Sequence, residues 1–257
     1  MPGYLTQEAR VSVRGVDDLH IRSLLDNQQY HDPLGLAAAQ GLSAATWPLF
    51  GLLWPSGAEL AAALGQHRVT PGERILELGC GLGLASLVGH RRGADVTASD
   101  CHPLAGAFLA HNVRLNGLPP LKYAHGRWGD EAHGISQQPD RHSPPTAAEA
   151  AEGGGMAPDV SGRFHLIMGS DVLYERDDQG GLAGFIDRHA TDDAQVWIVD
   201  PHRGNRPAFS RRMADMGFSL NDQRLDRPAT VAQAAYRGRL LRFSRPRHPL
   251  ALSDQPC

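Results

Sequence analysis

Four acids and a run of glycines carry most of the chemistry open to this chain. In residues 75–84, ILELGCGLGL, an apolar run containing Glu77 gives way to glycines at alternate positions, Gly79, Gly81 and Gly83. A turn without Cβ atoms lets backbone approach a bound molecule closely and takes positive φ at no steric cost. Glu77, two residues ahead of that turn, suits a ligand's cation and would repel a phosphate. Asp100 closes the next apolar stretch, ADVTASD; Ser170, Asp171 and Tyr174 follow a third, FHLIMG; and Asp200 and Arg203 follow a fourth, QVWIV. In an open α/β sheet, residues just past the carboxyl ends of strands face the ligand crevice. A dinucleotide fingerprint needs glycine where Leu84 stands, so the pyrophosphate reading weakens. Taken alone, a glycine turn of this kind also serves merely to pack a helix on a sheet.

The elements that must position these residues follow from periodicity. Residues 75–78 read as a buried strand and the stretch after Gly83 as a helix ending near Gly93; 94–100 is a second strand, followed by a helix over 104–115. Strands are expected at 121–125, 164–169 and 195–199, helices at 182–188 and 206–216, and a closing strand pair at 218–225 and 238–243. Upstream, 11–16 reads as strand-like and 19–25 as a short helix, within an N-terminal extension or lid over residues 1–40. Trp47 and Trp54 each precede a proline and should be extended, with Ser56 capping the next helix through a box with Glu59. Residues 132–162, with four prolines and a Gly153-Gly154-Gly155 run, read as a disordered insertion in one domain over 41–245, and 246–257 as a flexible tail.

The glycine turn with Glu77 and Asp100 resembles the cofactor site of the class I, seven-β-strand S-adenosylmethionine-dependent methyltransferases. Three further segments resemble its protein lysine methyltransferase-like branch: Trp-Pro-Ser-Gly at 54–57, Asp-Val-Leu-Tyr at 171–174, and Asp-Pro-His-Arg at 200–203, the last as in the group acting on the electron-transfer flavoprotein β subunit. The resemblance implies an α/β, Rossmann-like, doubly wound sheet of seven strands, mostly parallel with one antiparallel strand. It implies S-adenosylmethionine as cofactor, with Asp100 on the ribose hydroxyls, Trp128 beside the adenine, and Trp54, Glu77, Gly79, Gly81, Gly83 and Ser170 completing its pocket. Asp171 and Tyr174 take the catalytic place beside the methyl acceptor, expected to be a lysine of a protein substrate. Asp200 shapes the acceptor pocket, and Arg203 holds a substrate backbone or a neighbouring acid. Ordinary alternatives stand beside these roles: Trp54 as a core aromatic, Trp128 as a loop anchor, and 200–203 as an Asp-Pro turn with a solvated arginine.

Composition sets the outer bounds. A chain of 257 residues, 41% hydrophobic, suffices for one large α/β domain. Twenty-five Lys+Arg against 28 Asp+Glu leaves a net charge of −3, which disfavours a nucleic-acid partner. Cys80, Cys101 and Cys257 show no paired metal spacing, and His102 and His111 read as surface or helix-cap residues, so no metal is expected. The same cysteines suggest a reduced, cytoplasmic protein, and no apolar run approaches the ~20 residues that span a bilayer. A small-molecule methyltransferase of the same fold is the nearest competing reading. A nicotinamide-dependent oxidoreductase and a non-catalytic binding module are more distant ones. The oligomeric state is not legible.

Overall fold

A computed structural model describes residues 3–128, 157–174, 176–229 and 235–245. Most of the expected insertion, and all of the expected tail, lie outside the described residues. Of the insertion, the described end is paired: His125 donates its N–H to Pro158 O at 2.8 Å, Val160 donates to His125 O at 3.0 Å, and the Val160 side chain is buried.

Seven strands form one sheet: β3 (Arg74–Leu78), β4 (Asp95–Asp100), β5 (Lys122–His125), β6 (Phe164–Ser170), β7 (Ala190–Asp200), β8 (Ser219–Arg227) and β9 (Tyr236–Ser244), in the order β5-β4-β3-β6-β7-β9-β8. Neighbours from β5 to β7 run parallel and β9 is antiparallel to both of its partners, as the resemblance implied. The central strands are apolar on both faces because helices cover both. Leu76 and Leu78 join the cluster under α5 (Gly181–His189) and α6 (Arg206–Asp215), and Ile75 joins the one under α2 (Pro55–Gln66), α3 (Leu84–Arg91) and α4 (Ala105–Leu115). The chain leaves β3 toward β4 on one side and returns as β6 on the other. That reversal opens a crevice at the carboxyl ends of β3 and β6.

Expectations upstream are corrected in two regions. In the first, the strand expected at 11–16 lies earlier and ends at Val11, and 12–16 run as loop and turn. Residues 19–25 hold no helix: β2 (Leu19–Leu24) pairs with β1 (Thr6–Val11) in an antiparallel hairpin, burying Leu19, Ile21 and Ser23 while His20 stays exposed. The period is two, and a six-residue window with polar residues between did not separate it from a helical turn. The free edge of β2 is covered by α4, whose Asn112 and Asn116 imitate a neighbouring strand. Asn112 Oδ1 accepts the Arg22 N–H at 2.8 Å and Asn116 Oδ1 that of His20 at 3.0 Å, while both amide groups donate back to the same residues' carbonyls. Helical spacing of four puts the two asparagines one turn apart, in step with alternate residues of the strand. Second, Trp47 is not extended but opens a 3-10 turn (Trp47–Gly51), whereas Trp54 is extended as expected, with φ −101° and ψ 135°.

Candidate active site

At the switch point lies a cavity of about 380 Å³, within the size range of small-molecule sites. One half is built on β3, β4 and the 3-10 turn. Gly81 has φ +50°, and a Cβ there would stand 2.8 Å from the Phe50 carbonyl oxygen; at Gly79 one would press on Val172 and Trp128 at 3.0 and 3.4 Å. The loop is thus held open by the absence of side chains. Gly83 departs from expectation: it does not border the cavity, and a Cβ there would collide with Leu109. Its left-handed φ of +76° instead opens α3, which makes it a packing glycine.

Both acids of this half are committed to backbone amides. Asp100 accepts Gly81 N–H on Oδ2 at 2.9 Å and His102 N–H on Oδ1 at 2.8 Å. Glu77 Oε2 accepts the Ser86 N–H at 2.8 Å and also its hydroxyl, closing the first turn of α3, where the helix dipole favours a negative charge. Burial raises both carboxyls, and the Glu77 carboxyl is pushed up to about 7, with the Asp100 charge adding to the effect and the Ser86 bonds opposing it.

His102 is also not where the sequence put it. Its ring is buried and stacked on Phe50, 3.7 Å between centroids at 13°, with Trp47 edge-on at 5.3 Å. Burial lowers it to about 3, so the ring is neutral at physiological pH. Nδ1 accepts the Leu104 N–H at 3.1 Å, which leaves the proton on Nε2, a buried donor with no partner among the described residues. Neither Phe50 nor His102 is among the expected site residues, yet both border the cavity. The other histidine, His111, stays at the surface and meets Glu8 at 3.1 Å.

The second half is built on the ends of β6 and β7. Asp171, immediately after Ser170, has φ +58°, rare for a side-chain-bearing residue, and donates its N–H to Val199 O at 3.0 Å. Arg203 Nη2 meets Asp171 Oδ1 at 2.8 Å while Nη1 reaches the Asp171 carbonyl at 3.3 Å, so the half-buried arginine holds a neighbouring acid. Arg203 borders the cavity together with Asp171 and Tyr174, and its guanidinium lies 5.9 Å from the Tyr174 ring centroid. Ser56 is corrected as well. Trp54 occupies the cap position of α2, and the buried Ser56 hydroxyl turns inward to Tyr236 Oη at 3.0 Å, while Glu59 pairs with Arg14 and Arg227.

The structure therefore brings Trp54, Glu77, Gly79, Gly81, Asp100, Trp128, Ser170, Asp171 and Tyr174 to one cavity. Trp54 is neither a core aromatic nor free. It is 38% exposed at the rim, with its indole N–H donated to Leu49 O at 2.8 Å. Three carboxyl groups, Glu77, Asp100 and Asp171, face this space against one guanidinium, Arg203, already paired with Asp171, which leaves a field suited to a cation. No group of three His, Cys, Asp or Glu with metal-binding geometry occurs among the described residues, and none of their helices is long and apolar enough to cross a membrane.

No family model matches the chain. Among curated proteins it is 36% identical to the electron transfer flavoprotein beta subunit lysine methyltransferase of Xenopus laevis over 78 residues, 30% of this chain and 32% of the relative. It is 26% identical to the mouse protein of that name over 166 residues, 63% of this chain and 53% of the relative. It is 25% identical to the human histone-arginine methyltransferase METTL23 over 150 residues, 56% of this chain and 67% of the relative. The chain thus spans about a third to a half of the two lysine methyltransferases, 32% and 53%. Among solved structures, magnesium protoporphyrin IX methyltransferase from Synechocystis with bound SAM shares the fold at a TM-score of 0.50 and 16% identity, over 74% of this chain and 78% of that one. The fold is the class I, seven-strand methyltransferase fold. Within that class, the sequence resembles the protein lysine methyltransferase-like branch.

Proposed function

We propose that the chain is an S-adenosylmethionine-dependent methyltransferase that N-methylates a lysine side chain of a protein. The observation that carries this reading is the meeting, in one cavity, of a glycine loop with no room for a Cβ, two amide-bound acids, and a third acid on a strained turn at the mouth. The residues present fit the cofactor. Gly79 and Gly81 leave backbone-lined space, Asp100 offers carboxyl oxygens to hydroxyl groups, Trp128 and Trp54 offer flat faces, and the acids match a sulfonium and an ammonium. When bound, S-adenosylmethionine supplies an activated methyl group on sulfur, so the protein needs to contribute orientation and proton handling rather than a strong acid.

A lysine ammonium has no lone pair to attack with and must first lose a proton, because its ordinary pKa is about 10.4. Asp171 is the base in this reading. Its Oδ1 is held by Arg203, and burial raises its carboxyl, with Ser56 and Arg203 opposing, which brings its proton affinity closer to that of the amine. The Asp171 carboxylate, held by Arg203, would take the proton from the ammonium and so leave the amine a free lone pair toward the methyl group that the bound cofactor would supply. Tyr174, 47% exposed at the mouth, flanks the incoming side chain.

The test is transfer of a labelled methyl group to purified electron-transfer flavoprotein β subunit, with free lysine as the small-molecule control. Label recovered as methyl-lysine in the protein supports the reading. Label on free lysine, or on arginine, refutes the acceptor, and no binding of S-adenosylmethionine refutes the activity.

A further inference from the structure

The turn after β7 and the turn after β6 are tied to each other more closely than packing alone requires. Asp200, fully buried at the end of β7, accepts the Arg203 N–H on Oδ2 at 2.8 Å, closing a turn that passes through His202 at φ +66°. The Arg203 side chain then crosses to Asp171, taking both its carboxylate and its carbonyl, and Asp171 N–H returns to Val199 O. Beneath this loop of bonds, Gly238 on β9 leaves the room that the Tyr236 hydroxyl and the Asp200 carbonyl occupy, and Tyr236 Oη is bonded to Ser56 on α2. Asp200 Oδ1 is a buried acceptor without a partner among the described residues. Asp171 Oδ2 is in the same state, and a buried carboxyl oxygen without a hydrogen bond costs folding free energy.

We propose that Asp200 and Arg203 form a two-residue positioning device for Asp171, in which the Asp200 carboxylate sets the Arg203 turn and opposes, by its charge, the arginine's hold on the Asp171 carboxylate. Neither residue receives the substrate's proton. Their opposed charges set the pH at which Asp171 is free to do so, and the inference rests on the reading of Asp171 as the acceptor-side base. The groups that face this pair from neighbouring elements are few. Arg206 opens α6 and acts on Asp200; Tyr236 on β9 keeps its proton, held up to about 12 by burial; Glu59 on α2 is engaged by Arg14 and Arg227. Burial raises the Asp200 carboxyl, its bond to Arg203 and the Arg203 charge oppose the rise, and the like charge of Asp171 adds to it.

The signature is a pair of opposite shifts. Asp200→Asn removes a negative charge but keeps an oxygen for the Arg203 N–H, so Asp171 should ionise more easily and the acidic limb of kcat/KM should move down, by roughly half to one pH unit. Arg203→Met removes the balancing cation, and the same limb should move up by a comparable amount, with Arg203→Lys returning part of the way. Thermal melting of each variant checks that it folds. The direct counterpart is a carbon-13 carboxyl titration of the full chain, with the Asp171 resonance assigned by its loss in Asp171→Asn. Opposite displacement of the Asp171 midpoint in the two variants supports the device. Midpoints that stay put, or that move together, overturn it. The carboxyl titration decides the matter even if no acceptor is methylated, an outcome that would instead count against the proposed function.

Discussion

The two halves of the cavity hold their acids by different means. On the β3–β4 side, Glu77 and Asp100 are fixed mainly by main-chain N–H groups of Ser86, Gly81 and His102, with the Ser86 hydroxyl added on Glu77. On the β6–β7 side, Asp171 is fixed by a guanidinium contributed by a residue 32 positions later, on a turn that is itself closed by Asp200. A main-chain cradle is insensitive to surrounding side chains and suits a ligand that never changes. An ion pair can be loosened by an arriving cation, which suits a position where the acceptor must come and go. The comparison predicts that variants of the first half lose cofactor affinity and variants of the second lose turnover.

The largest effect on cofactor binding should come from Gly81→Val. Positive φ and the Phe50 carbonyl leave no place for the side chain, so S-adenosylmethionine affinity measured by calorimetry should fall at least about a hundredfold, near 2.7 kcal/mol. An unchanged affinity would break the division of labour at its strongest point. Next, Asp171→Ala should lower methyl transfer about 10²- to 10⁴-fold while leaving cofactor affinity nearly intact. Turnover close to the parent's would remove Asp171 from the chemistry. Smaller, Asp100→Asn keeps the size of the side chain but loses one carboxylate oxygen for two amides, which should cost about 1–3 kcal/mol of stability by chemical denaturation together with part of the cofactor affinity.

The smallest effect is in pH dependence. The Glu77 carboxyl is raised from 4.5 to about 7 in the fold, so the folded state binds a proton that the unfolded chain releases in between. Its contribution to stability is therefore fully present below about 4.5 and is lost as pH rises through about 7. His102 works in the opposite sense: lowered from 6.5 to about 3, it withdraws stability as pH falls through that window. Glu77→Gln should delete only the first component, so that the parent's advantage in melting temperature over the variant grows on going from pH 7.5 to pH 5. An advantage that shrinks instead would mean Glu77 stays ionised when folded.

How much could be read from residue order divides along the same line. The cofactor half is nearly contiguous: Glu77, Gly79 and Gly81 lie within five positions, and Asp100 ends the next strand, one helix further on, so local pattern was enough to assemble them. Gly83 belonged to the same visible pattern yet serves α3 and Leu109, because a spacing rule does not say on which side of the turn each glycine lies. The aromatic stack of Trp47, Phe50 and His102 was out of reach, since His102 becomes a buried neutral ring only when the 3-10 turn folds over it. Likewise Ser56, with glutamate three residues on, matched a capping box; the proline at the first position of α2 moved the cap to Trp54 and turned the serine toward Tyr236, 180 residues away. Hairpin β1–β2 was missed, its second strand read as a helix and its first placed five residues late, because a strand that pairs with another strand and with two helix asparagines has no local signature of either.

Calorimetric titration of S-adenosylmethionine into the parent chain and into Asp171→Ala, side by side, goes to the heart of the matter. The account predicts one site per chain in both proteins, with affinities within about threefold of each other, a difference below 1 kcal/mol. A folded parent that gives no binding heat and no thermal shift with the cofactor would contradict it.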